Sequence, residues 1–223
     1  MKKAFLFLVL LFVVVVAATL LRPRDENRGA QAVTGLPWQV EILADGKSKV
    51  FGLTLGSSTL GEATGVFGAD REIALVAAQG EAGTLEAYFN QVTTGIIGGK
   101  MVLSGDLDRE SVERMRQRAV KSEYMESSTR KFALHPDDLI QAENTPIASI
   151  TFIPAARLDE AIVLSRFGQP GERIRASETM EHFLYPDKGL ALTLDREGKE
   201  ILQYVAPAQF ARLRDPLVAR GAK

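Results

Sequence analysis

The most regular hydrophobic pattern in the chain lies at its N-terminus. An uncharged run of eighteen residues extends from Ala4 to Leu21, with Lys2 and Lys3 before it and Arg22 after it. As a helix, a run of that length spans roughly 27 Å, close to the hydrocarbon thickness of a bilayer. The paired lysines favour a cytoplasmic N-terminus. The pattern predicts a signal-anchor transmembrane helix over residues 1–24, which makes the inner membrane a partner of the chain.

A cleaved secretory signal is the alternative interpretation of the same segment. Val16, Ala17 and Ala18 supply small residues at a spacing that signal peptidase accepts. The apolar run continues beyond them and no polar stretch precedes them, which favours the uncleaved anchor. Both interpretations deliver the rest of the chain to the bacterial periplasm. We therefore predict a single-pass inner-membrane protein with its C-terminal body in the periplasm.

After a linker predicted at residues 25–37, the pattern changes to short alternating runs. Residues 38–43 alternate apolar and polar positions, as a half-buried strand does. Two later segments share one order: a strand, a short helix and an antiparallel meander. Their helices close at Phe67-Gly68 and Phe167-Gly168, where glycine is a common helix terminator. The predicted segments of the body are two related units at 38–106 and 147–215, a helical connection at 107–146 and a tail at 216–223.

The predicted fold class is α+β. Behind the transmembrane helix we expect an antiparallel sheet with short helices packed on one face, in two related halves. The strongest helix prediction covers residues 108–124, where Val112 and Met115 belong to a narrow apolar stripe and arginines crowd the other positions. These arginines could lie against anionic lipid head groups. A solvated helix face, with Glu110 and Arg114 as an i,i+4 pair, is the favoured interpretation.

Composition excludes more chemistry than it indicates. The chain has 27 basic and 28 acidic residues, and because four of the basic residues flank the N-terminal apolar run, the body is mildly acidic. Such a body has no electrostatic reason to bind nucleic acid. The sequence contains no cysteine. Disulfides, thiolate metal sites, thiol nucleophiles and lipid attachment through an N-terminal cysteine are therefore excluded.

Several local motifs carry a family resemblance. They are Leu-Gly-Ser-Ser-Thr at 55–59, Phe-Gly-Gln-Pro at 167–170, Phe-Leu-Tyr at 183–185 and the hairpin strand at 190–194. Together they resemble the small modules of the BamE family of outer-membrane assembly proteins, and in tandem the β-lactamase-inhibitor-protein fold. The resemblance covers about residues 50–103 and 147–206, and it implies a protein-binding role in the bacterial envelope. The chain departs from that family because it lacks the lipid-bearing cysteine, and no binding residue is carried over.

Candidate catalytic residues do not assemble along the sequence. Glu178, Glu181 and His182 are neighbours in the chain. On a strand, however, Glu178 and His182 share one face and Glu181 points to the other. His135 precedes Pro136, which is typical of a turn. We therefore interpret Glu178 to His182 as exposed polar positions on a half-buried strand, and His135 as a turn residue.

Three further motifs fall short of known sites. Residues 57–59, Ser-Ser-Thr, lack the nucleophile elbow and suit a helix cap. Residues 95–100 lack the hydroxyl residue that follows the lysine of a phosphate loop. Asp106, Asp108 and Glu110 alternate like calcium ligands, without the central glycine and the late glutamate of that loop. The sequence predicts no catalytic, cofactor-binding or metal site, and no cofactor.

The favoured function is a non-enzymatic module that binds another envelope protein, or steadies a membrane complex, from the periplasmic side. One alternative is an enzyme that acts on envelope substrates such as cell-wall glycans, through two carboxylates facing one cleft. Another is a lipid or small-ligand carrier with a large apolar cavity.

Overall fold

Short strands and short helices alternate through the residues that the computed structural model describes, 33–125 and 129–221. The strands are β1 Glu41–Ile42, β2 Ser48–Val50, β3 Leu53–Thr54, β4 Glu72–Ala77, β5 Thr84–Thr94, β6 Ile97–Gly105, β7 Lys121–Tyr124, β8 Arg130–Ala133, β9 Ile147–Pro154, β10 Glu172–Arg175, β11 Met180–Tyr185, β12 Leu190–Asp195 and β13 Ile201–Val205. The α-helices are α1 Ala63–Phe67, α2 Arg109–Arg118, α3 Pro136–Glu143, α4 Glu160–Phe167 and α5 Ala211–Gly221.

Ten of these strands form one sheet. Their order is β10-β11-β12-β13-β9-β6-β5-β4-β8-β7, and every neighbouring pair is antiparallel. Strands β1, β2 and β3 form a separate three-stranded sheet. Two sets of five strands meet in the middle of the large sheet, where β6 pairs with β9. Met101 lies opposite Phe152 there, and Leu103 lies opposite Ile150.

The main hydrophobic core lies on one face of the large sheet and continues across this junction. Met101, Leu103, Ile150 and Phe152 are completely buried on that face, because alternate residues of a strand point to the same side. The first four helices cover it and contribute the buried side chains Ala63, Val112, Met115, Ala142, Val163 and Phe167. One core therefore serves all the strands at the centre of the sheet.

The three-stranded sheet closes this core through a strained turn. Phe51 has a φ of 55° and Gly52 follows with a φ of 83°, a left-handed conformation that bulky residues rarely adopt. The Phe51 ring is buried, with its centroid 5.5 Å from the ring of Phe152 and 5.3 Å from that of Tyr204. The Tyr204 hydroxyl donates a hydrogen bond of 2.9 Å to the carbonyl of Pro37. Packing among three aromatic rings thus offsets the backbone strain.

Helix α5 packs on the opposite face of the same sheet. It buries a smaller cluster with strands β10 to β13, made of Leu184, Ala191, Val205 and Phe210, with Ile174, Leu213 and Leu217 packed against them. Arg214 fixes the helix to the edge strand β10, because its Nε donates to a carboxylate oxygen of Glu172 at 2.7 Å. Both faces of the C-terminal strands are therefore covered.

The predicted fold class is wrong in its architecture. We expected helices on one face and two helix-plus-sheet halves. The described residues instead form a mostly antiparallel β structure with one continuous ten-stranded sheet and short helices on both of its faces. Pairing between strands that are distant in the sequence joins them into one sheet, and local sequence patterns do not indicate which distant strands pair.

The two local motifs that suggested related halves end in the same way but begin differently. Helices α1 and α4 both stop at a glycine with positive φ, Gly68 and Gly168, as their Phe-Gly ends predict. The strands before them have different roles, because β3 belongs to the three-stranded sheet and β9 lies at the centre of the large one. The strands that precede the two helices therefore do not occupy corresponding places.

Within the residues that can be described, no helix is both long enough and apolar enough to span a membrane. The transmembrane helix predicted over residues 1–24 and most of the linker predicted at 25–37 lie outside the described residues. The segment boundaries predicted for the body stay predictions.

Gly99 provides a test of the junction between β6 and β9. A Cβ at Gly99 would lie 2.5 Å from the carbonyl oxygen of Ile153 and 2.6 Å from the Phe152 ring, whereas a Cβ at Gly98 would meet nothing closer than 3.9 Å. Gly99→Ala is expected to lower the free energy of unfolding in urea by about 1–3 kcal/mol, the usual cost of overpacking. Gly98→Ala is the matched control. Equal stabilities of the two variants would contradict the observed pairing.

Candidate functional site

The histidine and glutamates singled out near residue 180 lie on different surfaces. The prediction of an exposed position is wrong for His182, which is buried in β11 with its Nδ1 2.8 Å from the hydroxyl of Thr193. Glu181 points to the other face and accepts two hydrogen bonds from Arg173, at 2.9 and 3.0 Å. Arg173 thereby lowers the pKa of Glu181. Glu178 is exposed in the turn before β11, so the three side chains do not form one site.

The other candidate residues serve as helix caps and turns. The His135 ring accepts the backbone N–H of Asp137 and caps α3. Thr59 and Glu62 form a reciprocal capping box, with each side chain accepting the backbone N–H of the other residue. Asp108 caps α2 by accepting the N–H of Ser111 at 2.8 Å. Among the residues that the structure describes, no three His, Asp or Glu side chains approach closely enough to hold a metal ion.

Helix α2 is shorter than expected, and three of its four arginines (Arg114, Arg116 and Arg118) pair with acidic side chains of the described residues. Val112 and Met115 are buried as the pattern predicts, but the helix ends at Arg118, and residues 121–124 form the edge strand β7. Pairing with β8 outweighs helix propensity there. Arg118 contacts the carboxylates of Asp137 and Asp138 at 3.0 and 3.3 Å. These contacts favour a solvent-facing helix surface, whose arginines pair with acids of the same chain, over one that lies against lipid head groups.

Among the described residues, no helix covers the second face of β4, β5, β6 and β9. The first four helices lie on the other side of the sheet, and α5 reaches only β10 to β13. We call this surface the open sheet face and define it by Glu86, Tyr88, Val102, Ser104, Ser149 and Thr151, all half-buried. These residues form two rows across the strands. Ser104, Ser149 and Thr151 contribute short hydroxyl side chains to the centre of the sheet, and Tyr88 contributes the one aromatic ring among the six.

Glu86 gives the open sheet face its unusual charge. It lies between Ala74 of β4 and Ser104 of β6, where neither neighbour can neutralise it. No cationic side chain in the described part of the chain forms an ion pair with Glu86. Burial raises the pKa of this carboxyl, because desolvation disfavours the ionised form. A hydrogen-bond donor from a binding partner would offset this cost of ionising Glu86.

Comparisons of the chain with protein-family models, with curated proteins and with solved structures return no match. The functional argument therefore depends on the surfaces of this chain. The resemblance to BamE modules stays a prediction.

Glu86→Gln is expected to stabilise the protein near neutral pH. The folded chain holds the Glu86 proton to higher pH than the unfolded chain does, so stability falls as pH rises through the ordinary glutamate pKa towards the raised one. Glutamine removes that loss, and the gain should disappear well below the ordinary glutamate pKa. The free energy of unfolding is measured by urea denaturation near neutral pH and again well below the ordinary glutamate pKa.

Glu181→Gln is the matched control for this pH dependence. Because Arg173 lowers the pKa of Glu181, the pairing stabilises the fold above the ordinary glutamate pKa and is lost as pH falls through the lowered value. Its substitution should therefore destabilise near neutral pH, opposite to Glu86→Gln. If both variants changed the free energy of unfolding near neutral pH in the same direction, the different surroundings described for Glu86 and Glu181 would be contradicted.

Proposed function

We propose that this protein is a non-enzymatic module that binds another envelope protein through the open sheet face. We propose further that a helix from Ala4 to Leu21 holds it in the bacterial inner membrane, with the body in the periplasm. The observation that carries the proposal is the uncovered centre of the sheet. Its second face has no described helix over β4, β5, β6 and β9, although α5 covers the same face of the neighbouring strands.

The composition of the open sheet face supports reversible binding. Under α5 the same side of the sheet presents Leu184, Ala191 and Val205, all apolar and buried. On the open part, serine and threonine alternate with Val102 and Tyr88. Such mixed composition is typical of interfaces between proteins that also exist apart, whereas permanent interfaces are more apolar.

Tyr88 is the best anchor residue on this surface. It is half-buried, lies opposite Val102, and its hydroxyl donates to the Asn90 side chain at 2.9 Å. That hydrogen bond fixes the ring, and aromatic residues of this kind dominate the binding energy of many interfaces. A hydrolase or a ligand carrier, the two alternatives, would instead place function in a cleft and leave substitutions of the open sheet face without effect.

Crosslinking in the cells that produce the protein tests the binding surface. A photoreactive phenylalanine at Tyr88 is expected to give one discrete adduct of higher mass. The same residue at Tyr124, which is 75% exposed on edge strand β7, is the matched control and should not give that adduct. Ser149→Arg, two strands from Tyr88, should reduce the adduct at least tenfold because a long charged side chain would hold a partner off the sheet.

Gln141→Arg, on exposed α3 across the sheet, controls for the added charge and should change the yield less than twofold. An adduct that survives Ser149→Arg, or forms equally from residue 124, would overturn the proposed surface. Loss of an envelope activity with no change in crosslinking would favour the hydrolase or the carrier.

A reporter fusion tests the proposed location. Alkaline phosphatase fused behind Lys223 is expected to be active, and β-galactosidase at the same position inactive, because only the first enzyme folds in the periplasm. The full chain should sediment with membranes, and removal of residues 2–24 should release it to the cytosolic fraction. Cytosolic behaviour of the full-length fusion would contradict the anchor and every envelope partner.

A further inference from the structure

A second site is indicated by one acidic side chain that is buried without a full set of partners. Glu200, just before β13, is only 3% exposed. Its Oε2 has no hydrogen-bond partner among the described residues, and its Oε1 lies 3.5 Å from Nη1 of Arg157, at the limit of a hydrogen bond. A buried carboxylate in this condition is costly, so a further hydrogen-bond donor at Glu200 would stabilise the fold.

Glu200 lines a cleft of about 630 Å³ between the start of α4 and the two turns that flank the β11–β12 hairpin. Six carboxylates and three guanidinium groups line the cleft, so it is negative overall. Most of the other acids are occupied: Glu160 and Glu181 both pair with Arg173, and Asp159 caps α4. Glu200 is the deepest acid and the least satisfied.

An occupant that donates hydrogen bonds would complement the Glu200 carboxylate, and a positive charge would complement the excess of acids in the lining. No three acidic or histidine side chains in the described ranges converge as metal ligands, which disfavours a metal ion. Arg157, whose side chain is 57% exposed, is held mainly by one hydrogen bond of 3.0 Å to the carbonyl of Asp195. The Arg157 side chain can therefore move away from Glu200 when a stronger hydrogen-bond donor binds there.

We propose that this cleft binds a protonated primary amine, with Glu200 as its buried counter-ion. The ammonium group donates to the carboxylate of Glu200, and the methylene chain lies against Leu158, Met180 and Leu194, which also line the cleft. This site does not depend on the open sheet face, because none of the residues that define that face lines the cleft.

Titration of the full chain in neutral detergent with 1,4-diaminobutane tests the site. Backbone amide signals of Thr179 and Arg196, on two sides of the cleft, are expected to shift and saturate. The neutral probe 1,4-butanediol should leave them in place. Equal responses to both probes, or no saturable response to the diamine, would overturn the proposal.

Variants separate binding from folding. Glu200→Gln is expected to weaken diamine binding at least tenfold and to raise the urea midpoint or leave it unchanged, because it removes a buried charge whose one cationic partner, Arg157, is half exposed at 3.5 Å. Glu197→Gln is the matched control, because Glu197 is an exposed acid near Glu200 that does not line the cleft, and it should weaken binding less than threefold. Arg157→Ala should tighten binding because it removes the competing cation. Wild-type affinity in Glu200→Gln would overturn the proposal, and so would a lower urea midpoint, which would mean that Glu200 is already satisfied.

A third probe identifies the source of the amine. N-acetyl-lysine amide binding as tightly as the diamine supports a lysine side chain of another protein, and binding of the diamine alone supports a free polyamine. Both results require Glu200 in the role proposed.

Discussion

The pairing of β6 with β9 is the interaction on which the rest of the structure depends. It joins two sets of five strands through register pairs that run from Gly99 opposite Pro154 to Gly105 opposite Ile147. On one side it makes a single core, because fully buried side chains of both strands meet there. On the other side it creates the open sheet face. Without this pairing, two long hydrophobic edges would be exposed to aggregation.

Helix ends and the buried side of a helix could be predicted from the sequence, but the pairing of distant strands could not. Glycines after Phe67 and Phe167 end their helices as predicted, and Val112 and Met115 form the buried stripe of α2. The continuous sheet and α5 on its second face were missed, because an alternating strand shows that one face is buried without showing what covers the other. Glu200 was missed for a similar reason: it follows a polar turn, and only the folded arrangement shows its burial.

Two acids without a full set of partners mark the surfaces to which we assign function. Glu86 on the open sheet face is half-buried with a raised pKa, and Glu200 in the cleft has an unpartnered oxygen. By contrast, Glu172 and Glu181 are paired with Arg214 and Arg173. Natural proteins retain destabilising groups mainly where function needs them. A cation from a partner would pair with either acid. Replacing Glu86 or Glu200 with an uncharged residue is therefore expected to stabilise the free protein and to weaken binding at that surface.

The most direct test of the central pairing is a disulfide between Val102→Cys and Thr151→Cys, which are register partners across the junction. Directly opposed strand residues lie within disulfide reach, and the chain has no other cysteine. We expect rapid oxidation to a crosslinked monomer, as for the hairpin pair Tyr88→Cys with Val102→Cys. Val102→Cys with Ile153→Cys, which is two residues out of register, should oxidise slowly. Faster crosslinking of the shifted pair, or none across the junction, would contradict the continuous sheet.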